Sequence, residues 1–154
     1  MAHVELSLSD AFVPQPGTTV EPEYGDSVGL WAPTVAAAAE PCLLIDADMS
    51  IVAVSDSCCQ LLGLGDADDA IGRSLVGGVL RLVDFTQARG DLSDIEIVKI
   101  PPLLALSSGR LARGLLRVVA GASADGGVAT VDAIATPLFD AGAVAGSLTF
   151  FCEV

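Results

Sequence analysis

Between Pro41 and Leu75 the sequence reads PCLLIDADMSIVAVSDSCCQLLGLGDADDAIGRSL. Two short apolar runs, Cys42–Ile45 and Ile51–Val54, flank an Asp46-Ala47-Asp48-Met49-Ser50 turn, and an apolar-patterned helix opens near Ser55. This is a hairpin feeding a helix. The last third supplies three more alternating strands. In Leu111–Ala120, residues Ala112, Gly114, Leu116 and Val118 share one face, and Leu111, Arg113, Leu115, Arg117 and Val119 the other. Val128–Pro137 is apolar on both faces. In Val144–Cys152, residues Val144, Leu148, Phe150 and Cys152 lie on one side, and Ser147, Thr149 and Phe151 on the other. Asp125-Gly126-Gly127 and Asp140-Ala141-Gly142 supply the turns. An antiparallel sheet covered by short helices is the α+β architecture expected of this order.

The succession LLIDAD, IVAVSD, CCQLLGL and AIGRSL, followed by ATPLFDAGAVAGSLTFF, resembles the PAS family of sensory and interaction domains, from Pro41 to Glu153. The resemblance implies a five-stranded antiparallel sheet with short helices on one face and a regulatory rather than catalytic role. Two positions depart from the family pattern. The glycine usual in the first hairpin turn is replaced by Met49 or Ser50, and the asparagine usual at the start of the first helix is Ser55, itself a good cap. Flavin photochemistry in this family needs a Gly-Arg-Asn-Cys-type motif, where this chain has Gly72-Arg73-Ser74-Leu75. No flavin is expected. His3 is the single histidine and lies in the N-terminal stretch, so neither a haem ligated by histidine within the fold nor a histidine-based triad is expected.

Three segments follow from the composition along the chain. Residues 1–26, with Pro14, Pro16, Pro22 and little periodic apolar pattern, read as a flexible arm. Residues 27–40 read as a short Ala-rich flanking helix that ends before Pro41. Residues 41–154 are the PAS-like domain, with an extra helical insertion near 81–100, where Asp91 can cap a helix. Pro101-Pro102 then opens one or two helical turns ending at Gly109.

Charge is unevenly distributed. The formal net charge is −13, and Met1–Gly72 holds twelve acids with no Lys or Arg, whereas all seven basic residues lie between Arg73 and Arg117. Such a field opposes nucleic acid and anionic membranes, which need cationic side chains to displace counterions. No run approaches the roughly 20 apolar residues of a membrane span, and a signal-peptide pattern is missing at the amino terminus, so a cytoplasmic location is expected. Cys42, Cys58, Cys59 and Cys152 sit in apolar stretches without zinc-ligand spacing. Asp56, Asp66 and Asp68 lie close to Cys58 and Cys59 and raise their thiol pKa, which favours packing over redox sensing. Asp46, Asp48, Asp66, Asp68 and Asp69 do not follow a calcium-loop pattern and read as a solvated rim. No catalytic or metal site is expected.

Two candidate sites remain. A cavity between sheet and helices would be lined by Val54, Leu61, Leu62, Ile71, Leu75, Leu103, Leu116, Ile134, Leu148 and Phe150. All are ordinary core types, so solid packing is the simpler reading, and a ligand held there would be an apolar small molecule such as a fatty acid. The strands alternate imperfectly, which places Leu115, Val119 and Phe151 on the face away from the helices, where something must cover them. With Trp31, which either anchors a partner or covers its own domain, they form the candidate interface. The expected function is therefore a non-enzymatic signalling module acting as a homodimer or on a signalling protein partner. The alternative is a receptor for an apolar ligand, with residues 81–100 as a lid.

Overall fold

The computed structural model describes residues 26–76, 80, 82–83, 99–119 and 127–154. The first hairpin pairs β1 (Cys42–Asp46) with β2 (Ile51–Val54). Its turn is built by Asp46, whose Oδ1 accepts from the amides of Asp48 at 2.9 Å and Ser50 at 3.0 Å. That side-chain turn holds Met49 at φ 64°, the left-handed conformation that glycine adopts at least cost. A bulge between Leu44 and Ile45 lets Ile51 and Val54 both turn inward although they stand three residues apart. Along the outer edge of β2, Ile51 donates to Arg73 O at 2.9 Å and accepts from Gly72 N at 2.8 Å, so the AIGRSL segment closes that edge.

Helix α2 (Asp56–Leu62) follows β2 at once and ends at Gly63, φ 67°. Helix α3 (Ala67–Ala70) comes next. After β3 (Leu82–Val83), helix α4 (Pro101–Ser108) begins on its two prolines, whose fixed φ suits a first turn, and ends at Gly109, φ 64°. Strands β4 (Ala112–Val119), β5 (Val128–Asp140) and β6 (Ala143–Glu153) complete the chain. Between β5 and β6 the turn puts Ala141 (φ 51°) and Gly142 (φ 80°) in the left-handed region, which suits a two-residue hairpin.

The expected five-stranded antiparallel sheet is present in the order β2-β1-β6-β5-β4, and the two-residue β3 adds a sixth strand beside β4. One face, here called inner, buries Leu43, Ile45, Val54, Leu116, Val118, Val131 and Phe151 against Cys58, Cys59 and Leu62 of α2, Ala70 of α3 and Leu103 of α4.

The outer face is covered in part by α1 (Ser27–Ala37). Asp26 caps it, accepting from Gly29 N at 2.7 Å, and the Ser27 amide is tied to Asp140 Oδ1 at 3.0 Å. The helix stops at Ala37 and runs through Pro33, which removes one internal hydrogen bond. Three turns with that defect are marginal alone, so the sheet holds α1: Val28 and Val35 bury with Cys42, Leu44, Ala53 and Leu148. Burial of such side chains contributes roughly 1.5–3 kcal/mol each. A Cβ at Gly146 would run into Ile45 O and Val28 Cγ2, so this glycine sets how closely the helix sits.

Residues 1–25 of the arm expected over residues 1–26, most of the insertion at 81–100 including its Asp91-capped helix, and the Asp125-Gly126 turn lie outside the described residues, whereas Asp26 belongs to the helix as its cap.

Candidate interaction surface

The register decides which residues face which way. Cys42↔Phe150 and Leu44↔Leu148 face outward, and Leu43↔Thr149 and Ile45↔Ser147 inward. The pairing continues outward through Ile134↔Phe150, Asp132↔Cys152, Arg113↔Ile134 and Leu115↔Asp132. The faces of β6 are therefore the reverse of those expected. Phe151 is 4% exposed in the inner core, whereas Phe150 is 47% exposed on the outer face. The physical reason lies in the polar row: the Ser147 hydroxyl donates to Pro102 O at 2.9 Å, which lets it sit buried under α4, and α1 covers Leu148 from the other side.

This splits the candidate cavity set. Val54, Leu62, Leu75, Leu103 and Leu116 meet in the inner core, with Leu61 partly buried against it. Leu148 lies in the separate cluster under α1, Ile71 is exposed, and Ile134 and Phe150 lie on the outer face. The ten residues thus do not line one space. Of the candidate interface, Leu115 (53%) and Trp31 (43%) are exposed, Val119 is half-buried and Phe151 is buried. Ile134, Phe150 and Val128 take the place of Phe151 on the outer face. The signal that could have found them is the strand pairing itself, because Ile134 stands directly opposite Phe150 and between two other outward residues.

Leu115, Ile134 and Phe150 therefore make an apolar strip across three adjacent strands, on the part of the sheet that α1 leaves open. Arg113 beside it forks onto Asp132, with Nη2–Oδ2 at 2.6 Å and Nε at 3.2 Å from both oxygens. The hydrogen bond from Arg113 holds the Asp132 carboxyl below its ordinary range, and the same bond raises the guanidinium. Arg113 thus pairs within the sheet rather than with the acidic front half of the chain.

The thiols show what packing does to cysteine chemistry. Burial pushes Cys58 far up, helped by Cys59 and Cys42, and burial followed by Asp56 and Asp66 pushes up Cys59. Both are buried in the inner core, whereas Cys152 is exposed. Among the described residues no three His, Cys, Asp or Glu side chains converge as metal ligands, and no helix is long and apolar enough to cross a membrane.

No protein-family model matches the sequence, and no curated protein matches it. Solved structures do match. The PAS domain of a Colwellia psychrerythraea protein superposes with a TM-score of 0.55 at 15% identity, over 84% of this chain and 98% of that one. A light-oxygen-voltage domain studied with a flavin analogue gives 0.55 at 19% identity, over 79% of this chain and 82% of the other. The Vibrio cholerae VqmA dimer, solved in the absence of its target DNA, gives 0.54 at 18% identity over 75% of this chain. The match spans 46% of the VqmA chain, about half of that protein. At these identities the likeness is one of fold, and the chain has the PAS fold.

Proposed function

We propose that this chain is a non-enzymatic PAS-type signalling module that works by pairing with a second copy through the outer face of its sheet. The observation that carries this reading is the strip of Leu115, Ile134 and Phe150, three large apolar side chains left 37–53% exposed on adjacent strands. Surfaces of that kind mark interaction sites. PAS-fold neighbours are found in a sensor histidine kinase and in the VqmA dimer, which agrees with a role in signalling. VqmA is also described with target DNA, but the −13 charge of this chain opposes direct contact with a polyanion, so its output passes to a protein.

The test is sedimentation equilibrium of the parent protein beside an Ile134→Asp, Phe150→Asp variant. The expected result is a parent dimer and a folded, monomeric variant. A parent that stays monomeric at micromolar concentration, or a variant that keeps the dimer, overturns the reading.

A second reading, a sensor for a small molecule held against the inner face, is favoured by Thr149. Its hydroxyl is fully buried on the inner face of β6 with no hydrogen-bond partner among the described residues, and such a group ordinarily costs free energy unless something satisfies it. A ligand there would be mainly apolar with one polar atom for Thr149. Native mass spectrometry of the protein as purified tests it: an adduct that is lost on denaturation supports a ligand, and a bare mass counts against one.

A further inference from the structure

Among the described residues, the end of β6 has no strand beside it on the side away from β5. Phe151 donates its amide to Pro41 O at 2.9 Å, and pairing between β1 and β6 runs out there, since the register begins at Cys42↔Phe150. Residue 41 is proline, so no N–H stands opposite to bond the Phe151 carbonyl. Val154 donates to Thr130 O of β5 at 3.0 Å, which assigns the even-numbered residues of β6 to β5. Alternation then turns the Glu153 amide to the same side as Phe151, away from β5.

This open edge borders a groove of about 700 Å³ between the α1–β1 turn, α2 and the end of β6. Leu61, Phe151 and Pro41 give it an apolar floor, and among the described residues the charged side chains lining it are Glu40 and Glu153, both exposed. Among the described residues no lysine or arginine lines it.

We propose that this groove captures a short extended peptide of another protein by adding it as a strand to the end of β6. A carbonyl and an amide left without a strand partner among the described residues select an extended backbone over a helix, because a helix satisfies its own. The occupant sets an apolar side chain over Leu61 and Phe151 and carries lysine or arginine on either side of it, matching Glu40 and Glu153. The site is distinct from the outer strip, although Phe150 borders both.

The probe is the peptide acetyl-Lys-Val-Leu-Val-Lys-amide, titrated by calorimetry into the intact protein. Cys152 supplies a second readout, since it is exposed and lines the groove whereas Cys42, Cys58 and Cys59 are buried. Saturable binding that slows alkylation of Cys152 is expected. Methylating the leucine amide or the following valine amide should abolish binding in one case and spare it in the other, since backbone bonding alternates along an added strand. A Glu40→Lys, Glu153→Lys variant with an unchanged circular dichroism spectrum should bind about tenfold more weakly or worse. Absence of saturable binding, equal binding by both methylated peptides, or unchanged affinity in the charge-reversed variant would overturn the proposal. So would a change in the protein's own oligomeric state in that variant, which would assign the groove to a second copy.

Discussion

Ser55 does more for this fold than a helix cap. Its fully buried hydroxyl accepts from Cys42 N at 3.0 Å and Cys58 N at 3.3 Å and donates to Glu40 O at 2.8 Å, so it ties the start of β1 to the start of α2. Ser55→Ala removes the cap and leaves buried backbone groups unpaired, which together cost about 2–3 kcal/mol. The measurement is the urea midpoint at constant m. A loss near zero would mean that water reaches the junction. By contrast Arg113 and Asp132 make one shorter bond, at 2.6 Å, but lie at the surface, where solvent screens the pair, so they carry little stability. Cys58 and Cys59 add a pH dependence. Their native pKa values lie above the unfolded value of about 8.5, so the folded state holds their protons more tightly. Stability is therefore fully present below pH ~8.5 and falls as pH rises above it. A Cys58→Ala, Cys59→Ala variant should flatten that decline in a series of urea titrations between neutral and alkaline pH, and an unchanged slope would assign it to other groups.

At the level of elements, α1 is the piece whose attachment depends on a single position. Gly146 lies under Val28, and any side chain there meets the Ile45 carbonyl, so Gly146→Val must lift the helix or push β6 away from β1. The expected cost is about 2 kcal/mol or more, within the range for overpacking. Hydrogen exchange shows which element yields: protection should be lost over Ser27–Ala37 first, and loss spread evenly over the sheet would contradict a locally docked helix. The same element explains what was legible in the sequence. The hairpin, α2 and the faces of β4 could be read because Asp46 and Ser55 carry turn and cap chemistry and because Arg113 and Arg117 mark the outward row. The faces of β6 were misread because alternation identifies the buried row only when the other row meets water. Here α1 covers Leu148 while Pro102 satisfies Ser147, so the polar row sits inside and part of the apolar row outside. Side-chain chemistry alone does not distinguish such a strand from its mirror assignment. The register with β1 and β5 does.

For the whole molecule, the proposed pairing with a second copy sets an apolar strip against a formal charge of −13 on each chain. Twelve acids precede the first basic residue at Arg73, and among the basic residues Arg113 is already engaged by Asp132 of its own chain. The proposed association through Leu115, Ile134 and Phe150 would therefore gain apolar burial and work against long-range repulsion. Salt separates the two contributions, since the screening length shrinks from about 10 Å at 0.1 M to about 3 Å at 1 M while apolar burial is little affected. Sedimentation equilibrium across that range should show the dimer tightening several-fold as sodium chloride is added. Sodium sulfate at equal ionic strength should tighten it further, because sulfate strengthens apolar association beyond screening. A dimer that loosens with salt would instead rest on ion pairs between subunits, with basic residues of one copy against acids of the other, and the apolar strip would not be the seat of association.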